Sequence, residues 1–256
     1  MNPVKALVQK TLGRFGYRVS RISSAPPRVP PVPDWTQQPT MTGALRRAQF
    51  RGVAVNTVID VGASDGRWSE KCLQVFPDAN YLLMEALAAH ESKLREFAQI
   101  HQNVTFVLAA AGDQEGQVHF KNAGDPFSGA ASHRPFESND SVVALTTIDS
   151  QVSRRNLPAP YLIKLDTHGF EAAIFAGAAK TLEQTAIVIV EAYNFELQRA
   201  EQTFRFHELC AFMETLGFRC SDLVDPAYRE KDYMFWQMDL FFEPESRPEF
   251  NYNAFC

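Results

Sequence analysis

The stretch Val58-Ile59-Asp60-Val61-Gly62-Ala63-Ser64-Asp65-Gly66 limits what this chain can fold into more than any other. Apolar residues give way to an acid and two glycines, and a helical pattern follows at once. A buried parallel strand reads this way when it ends in a tight turn that feeds a helix. Glycine permits the crowded or left-handed backbone of such a turn, and it lets a ligand come close to the main chain. Asp60 stands near the strand's carboxyl end, the side on which open α/β sheets bind their ligands.

Three readings of this turn compete. Gly62 and Gly66 fall short of the dinucleotide fingerprint, which wants three glycines. Gly62-Ala63-Ser64-Asp65-Gly66 matches G-x-S-x-G, the nucleophile elbow of serine hydrolases, with Ser64 as nucleophile. Several strands normally precede that elbow, whereas here only a Pro-rich leader and one short helix do. The third reading is the glycine-rich turn of S-adenosylmethionine methyltransferases, with Asp60 and Asp65 facing a cationic ligand. Glu85 ranks the three. Asn80 to Met84 reads as a second strand, and Glu85 ends it 19 residues past Gly66. A carboxylate there can accept hydrogen bonds from both ribose hydroxyls. Acid, glycine turn and second acid together indicate an adenosine-containing cofactor; the bland alternative is two capping acids in an ordinary α/β domain.

With 256 residues, 45% of them hydrophobic, the chain can bury one full core, and a single domain with appendages is expected. No apolar run reaches the length of a membrane span and no signal peptide is evident, so a cytoplasmic protein is expected. Cys72, Cys210, Cys220 and Cys256 are scattered without metal-binding spacing, and no metal site follows from them. A net charge of −5 argues against a nucleic-acid binder. Residues 1–33 carry six basic residues and no acid, which leaves −5 − 6 = −11 for the remainder.

Along the chain, Val4, Leu7, Val8, Leu12, Phe15, Val19 and Ile22 recur at helical spacing, with Lys10, Arg14, Arg18 and Arg21 opposite. Such a basic amphipathic segment over residues 1–22 can pack on its own domain or on a second copy in a homo-oligomer. It can also lie on a membrane surface or dock a partner. Six prolines between Ser23 and Thr40 make a stiff arm. A domain is expected over 41–242, followed by a loosely held tail, 243–256. Trp68, Cys72, Leu73 and Phe76 mark the buried face of the helix after the glycine turn. Val104 to Ala109 is a third strand, and the small residues from Ala110 leave room for a flat adenine. Residues 122–141 read as a long loop, a lid over the substrate, with His133 inside it. Val142 to Ile148 follows as a strand or turn, with Asp149 capping a short helix. Strands four and five end at Asp166 and Glu191. With Asp60 and Glu85 these acids would line one sheet edge as an electronegative cleft, suited to a sulfonium and hostile to pyrophosphate. Gly217 to Cys220 and Tyr233 to Phe242 read as two closing strands.

Several of these segments resemble the FkbM-type methyltransferases: residues 58–66, Ala110-Ala111-Gly112-Asp113 with Gly116, Thr146-Thr147-Ile148-Asp149, and above all Ile163-Lys164-Leu165-Asp166-Thr167-His168-Gly169-Phe170-Glu171. The last fits the family's K-x-D-x-x-G-x-E turn, and the resemblance covers about residues 45–242. It implies a Rossmann-like seven-stranded S-adenosylmethionine methyltransferase sheet with helices on both faces. It also implies methyl transfer to a hydroxyl oxygen of a sugar, glycan or natural product. Carried over by position, Asp60, Gly62 and Gly66 shape the methionine end of the cofactor site, with Ala63 and Asp65 of the same turn beside them. Glu85 holds the ribose, Ala110 lies at the adenine, and Asp166 faces the amino-acid moiety or the substrate. His168 departs from the pattern, which more often has an acid or amide there.

A hydroxyl is a poor nucleophile and benefits from a base within hydrogen-bond reach. His168 leads as that base because it follows a strand end that should face the methyl group, and it can titrate near neutrality. Glu191 and, more weakly, His133 are candidates for the substrate. Asp166 and Glu191 could share a divalent ion, though the spacing does not require one. Two other classes stay open: a Ser64 hydrolase with His207 in its triad, and a non-catalytic protein that only binds the cofactor.

Overall fold

The computed structural model describes residues 33–122, 124, 127–197 and 203–255. The amphipathic segment 1–22 and nearly all of the proline arm lie outside the described residues. Asp34 to Cys256 forms one compact unit.

Helix α1 (Met41–Phe50) is capped by Thr40, whose hydroxyl accepts from the Gly43 amide at 3.2 Å. It leads to β1 (Thr57–Val61), α2 (Arg67–Leu73), β2 (Asn80–Glu85), α3 (Glu91–Ile100) and β3 (Val104–Leu108). The chain then leaves this layer through β4 (Ala110–Ala111), β5 (Gly116–Asn122), β6 (Gly129–Ser132) and β7 (Asp140–Thr146). It returns through α4 (Ile148–Arg155), β8 (Tyr161–Leu165), α5 (Glu171–Ala176), α6 (Ala179–Leu182) and β9 (Thr185–Tyr193). Helix α7 (Phe206–Thr215) and the hairpin β10 (Phe218–Tyr228) and β11 (Phe235–Pro244) complete it.

The main sheet has seven strands in the order β10-β11-β9-β8-β1-β2-β3. Strands β3, β2, β1, β8 and β9 run parallel, and β11 inserts antiparallel between β9 and β10. The strands β1, β2 and β8 are buried along almost their whole length, as a parallel sheet covered on both faces demands. Alternation then divides their residues. Ile59, Val61, Leu82, Met84, Ile163 and Leu165 pack with α4, α5 and α7, whereas Val58, Tyr81, Leu83 and Leu162 pack with α1, α2 and α3. From β1 the chain crosses to β2 on one side and later to β8 on the other. The carboxyl ends of β1 and β8 are therefore the switch point where such sheets open a crevice.

Three expectations change. The long loop is not loop throughout: β6 pairs antiparallel with β5 (Phe120 opposite Ala131), and β4-β7-β5-β6 form a separate four-stranded sheet. β5 and β7 are largely half-buried or exposed, and β4 and β6 have only two and four residues, so the period-two signal is weak. Asp149 does not cap the helix it opens. Thr147 does, accepting from the Ser150 amide at 3.1 Å, while the Asp149 carboxylate takes the Lys180 and Thr181 amides at the start of α6. The start of the tail is not loose, because β11 runs to Pro244 and Glu243 is buried against Arg51 and Arg247. Arg47 grips Asp222 of β10 through two nitrogens, at 2.7 and 3.0 Å, and so holds α1 on the sheet edge.

Candidate functional site

A cavity of about 550 Å³ opens at the switch point, within the range of small-molecule sites. Its floor is the turn after β1, where Val61, Gly62, Ala63 and Ser64 face it, and one side is Met84 and Glu85 at the end of β2. Asp166, Thr167 and His168, which follow β8, stand across from them, and Glu191 and Tyr193 of β9 close that end with Trp236 and Gln237 of β11. Ala109, Ala110 and Ala111 line the cavity as well, with Phe120 and Gly129 of the second sheet and Phe127 and Ser128 just before β6.

Gly62 is required twice over. Its φ is +76°, and a Cβ placed there would lie 2.3 Å from the Asp166 carbonyl oxygen. The β1 and β8 strand ends touch at this point, through the Asp166 amide on the Val61 carbonyl at 3.0 Å. Gly62→Ala is expected to cost about 2–5 kcal/mol, from left-handed strain plus the backbone contact. Chemical denaturation measures it, and a variant as stable as the parent would refute the close approach.

Glu85 is buried, and its two carboxylate oxygens accept from the Ser64 and Leu87 amides, each at 2.8 Å. That grip fixes the carboxylate at the cavity edge and leaves each oxygen a second lone pair. Ser64 has φ +52°, and its hydroxyl has no partner among the described residues. His207, the histidine considered for a hydrolase, is exposed on α7 with its ring against Phe206.

Not every predicted residue reaches the cavity. Asp60 is fully buried beneath the turn and accepts the Ser69 hydroxyl at 2.7 Å. Asp65 is paired with Arg67, and Gly66 opens α2 at φ +85° behind the wall. His133 sits 3.4 Å from Asp113 and packs on Phe170, outside the lining.

The acid rim is also less negative than a count of acids suggests. Lys164, 2% exposed, donates to Asp166 at 2.6 Å and lies in register with Asp60 on the neighbouring strand. Burial opposes its charge, but Asp166, Asp60 and Asp239 outweigh that and hold its pKa above the ordinary value. The Asp166 side chain is 43% exposed, and the residue lines the cavity. Burial would raise it, and Lys164 prevails and keeps it below the usual carboxylate range. Burial pushes Asp60 up to about 6, Asp239 up to about 6, and Glu191 up to about 7, the last helped by the Asp166 charge.

His168 stands 3.8 Å from Glu191 through Nε2, and its Nδ1 is 3.1 Å from the Gly129 carbonyl. A carbonyl only accepts, so Nδ1 carries a proton, and Nε2 lies on the Glu191 side. Glu191 in turn accepts from the Tyr193 hydroxyl and the Gln237 amide. The Tyr193 ring meets Trp236 edge-on at 5.9 Å, and Phe195 stacks on Trp236 at 5.3 Å. Tyr193 was legible, since it lies two residues past Glu191 on the same strand face. Trp236 and Gln237 arrive on the antiparallel return strand and carry no motif. Trp68, read as part of the buried face of α2, packs against the core there and also lines the cavity.

Among the described residues no three His, Cys, Asp or Glu side chains converge on a metal position, and no helix is long and apolar enough to cross a membrane.

Residues 60–220 match the model of one protein family, the methyltransferase FkbM domain. No curated protein matches the chain. Among solved structures, it is similar to a methyltransferase FkbM from Methylobacillus flagellatus KT at 16% identity, over 73% of this chain and 43% of that one, with a TM-score of 0.47. The chain therefore spans less than half the length of that protein. It is also similar to the 1,6-didemethyltoxoflavin-N1-methyltransferase of Burkholderia thailandensis, solved with S-adenosylhomocysteine, at 13% identity, over 82% and 80%, TM-score 0.46. A third is the precorrin-6y C5,15-methyltransferase of Geobacter metallireducens GS-15, at 12% identity, over 78% and 86%, TM-score 0.43.

Proposed function

The chain belongs to the FkbM methyltransferase family, and from that premise we propose that it moves a methyl group from S-adenosylmethionine to a hydroxyl oxygen of a sugar, glycan or natural product. The cavity residues fit that cofactor. Glu85 at the end of β2 is placed for a ribose, Ala109 to Ala111 leave flat space for a base, and Asp166 offers an open carboxylate for an ammonium. When bound, S-adenosylmethionine supplies a methyl group on a positively charged sulfur, ready for in-line displacement.

The protein's part is to place the acceptor and take its proton. His168 carries the reading: its Nδ1 is 3.1 Å from the Gly129 carbonyl, and its Nε2 faces the end of the cavity where Glu191, Tyr193 and Gln237 gather. His168 Nε2 would take the proton of a hydroxyl seated beside it and Glu191. Glu191, which titrates near 7, orients the neighbouring oxygen as acceptor or donor. The Trp236 and Tyr193 rings present the apolar face that a pyranose or macrocyclic ring covers.

A panel of glycosides and oligosaccharides incubated with methyl-labelled cofactor tests this. The expected product is a methyl ether stable to base, located on oxygen by mass spectrometry. Label found only on nitrogen or carbon would overturn the proposal.

A further inference from the structure

We propose that Arg229, in the loop between β10 and β11, is a positioning residue for the methyl acceptor and acts by bracing Phe195 against the Trp236 indole. The inference rests on the methyl-transfer reading of the cavity and adds a specificity-determining residue that lies outside it.

Trp236, near the start of β11, lines the cavity together with Glu191 and Tyr193. Its backbone is fixed by the residue that follows β9. The Asn194 amide donates to the Trp236 carbonyl at 2.9 Å, and the Asn194 side chain donates to the Phe235 carbonyl at 3.2 Å. Those bonds leave the side-chain torsions open, so packing sets the plane of the indole. Phe195 stacks on it with 5.3 Å between centroids and 28° between planes, and Tyr193 meets it at 5.9 Å and 78°. Tyr193 is itself tied to the chemistry, since its hydroxyl donates to Glu191 and its ring lies 6.0 Å from that of His168. A shift of the indole is therefore felt where the acceptor would be held and deprotonated.

Phe195 is held in turn. The Arg229 guanidinium lies over its ring, 4.4 Å from the centroid. Both Asp232 oxygens accept from that guanidinium, at 3.0 and 2.6 Å, and one also takes the Met234 amide at 3.1 Å. Two backbone bonds close the loop around the pair: the Arg229 amide on the Met234 carbonyl at 2.9 Å, and the Tyr233 amide on the Arg229 carbonyl at 2.8 Å. With side chains 35% and 41% exposed, such an ion pair adds little to folding. It does fix direction, because a planar guanidinium gripped at two nitrogens keeps one orientation over the ring. Phe195 and Arg229 lie outside the cavity lining, so they reach an acceptor through Trp236. A ring face held in place before binding lowers the ordering cost that the acceptor meets.

Steady-state kinetics of the full chain decide it, with methyl-labelled S-adenosylmethionine and the member of the glycoside panel that the parent methylates fastest. Arg229→Ala should raise KM for that glycoside about fivefold and keep kcat within about twofold, with calorimetric affinity for S-adenosylhomocysteine unchanged. Asp232→Asn, which keeps the cation but loosens it, should raise KM by less. Trp236→Leu tests the route: in that background Arg229→Ala should add no further loss in kcat/KM, because the ring it braces is gone. An unmoved KM, an equal loss in both backgrounds, or a matching loss of cofactor affinity would overturn the positioning role, while parent turnover on oxygen leaves the methyl-transfer reading standing. A parent that methylates no member of the panel on oxygen removes that reading, and this inference with it.

Discussion

Replacing Lys164 by methionine will destabilise the protein by about 3–5 kcal/mol near pH 8, because it leaves buried carboxylates without their cation. Lys164 is 2% exposed, bonded to Asp166 at 2.6 Å, and in register with Asp60. Its other charged neighbour is Asp239. The deficit depends on pH in a direction that can be worked out. Asp60, Asp239 and Glu191 all have folded values above their ordinary ones, at about 6, about 6 and about 7. The folded chain therefore binds their protons before the unfolded chain does, and their burial penalty shrinks as pH falls from about 7 towards 4. Asp166 moves the other way: its depressed value adds stability above the ordinary carboxylate range, lost as pH falls through the folded value. Lys164 contributes below its own raised value, so its contribution is complete across this window. Without it the three raised acids rise further, and the gap to the parent should narrow markedly between about pH 8 and about pH 5. Urea unfolding at both values measures the gap. An identical deficit at the two would mean that packing, not charge, is what Lys164 provides.

His168→Asn should lower kcat by about 10²–10⁴-fold with little change in affinity for S-adenosylhomocysteine. The asparagine amide can still donate to the Gly129 carbonyl, as Nδ1 does at 3.1 Å, so the loop stays anchored. What disappears is the basic Nε2 facing Glu191. A base works when unprotonated, so the parent rate should rise with pH along a limb that the variant lacks. Dependence that survives near pH 7 then belongs to Glu191, which titrates there. A kcat within about threefold of the parent, with the same profile, would move the base elsewhere on the cavity wall.

The parallel strands and their glycine turn could be read directly from the chain. Continuous apolar runs from Val58, Asn80 and Tyr161 become strands buried on both faces, and the acids that end them fall on one edge because parallel strands share a direction. The small second sheet was legible only in part: Gln117 to Lys121 read as a weak ribbon and Val142 to Ile148 as a strand or turn, with no sign of the strand Gly129–Ser132. Gly116 to Asn122 and Asp140 to Thr146 alternate weakly, since much of each strand stays in contact with water. Nor could the order of acids along the sequence tell which would face a ligand.

The sequence by itself determined the strand class, the turn that only Gly62 can make, and the positions of Glu85, Asp166 and His168 at strand ends. Those are local matters of period and backbone freedom. The tertiary structure alone decided that Asp60 is buried under that turn while Asp166 opens to the cavity. It also brought Lys164 among the acids, and Trp236 and Gln237 to Glu191 on an antiparallel strand more than 40 residues away. Burial and cross-strand register set the charge of a carboxyl, and neither is written in the spacing along a chain.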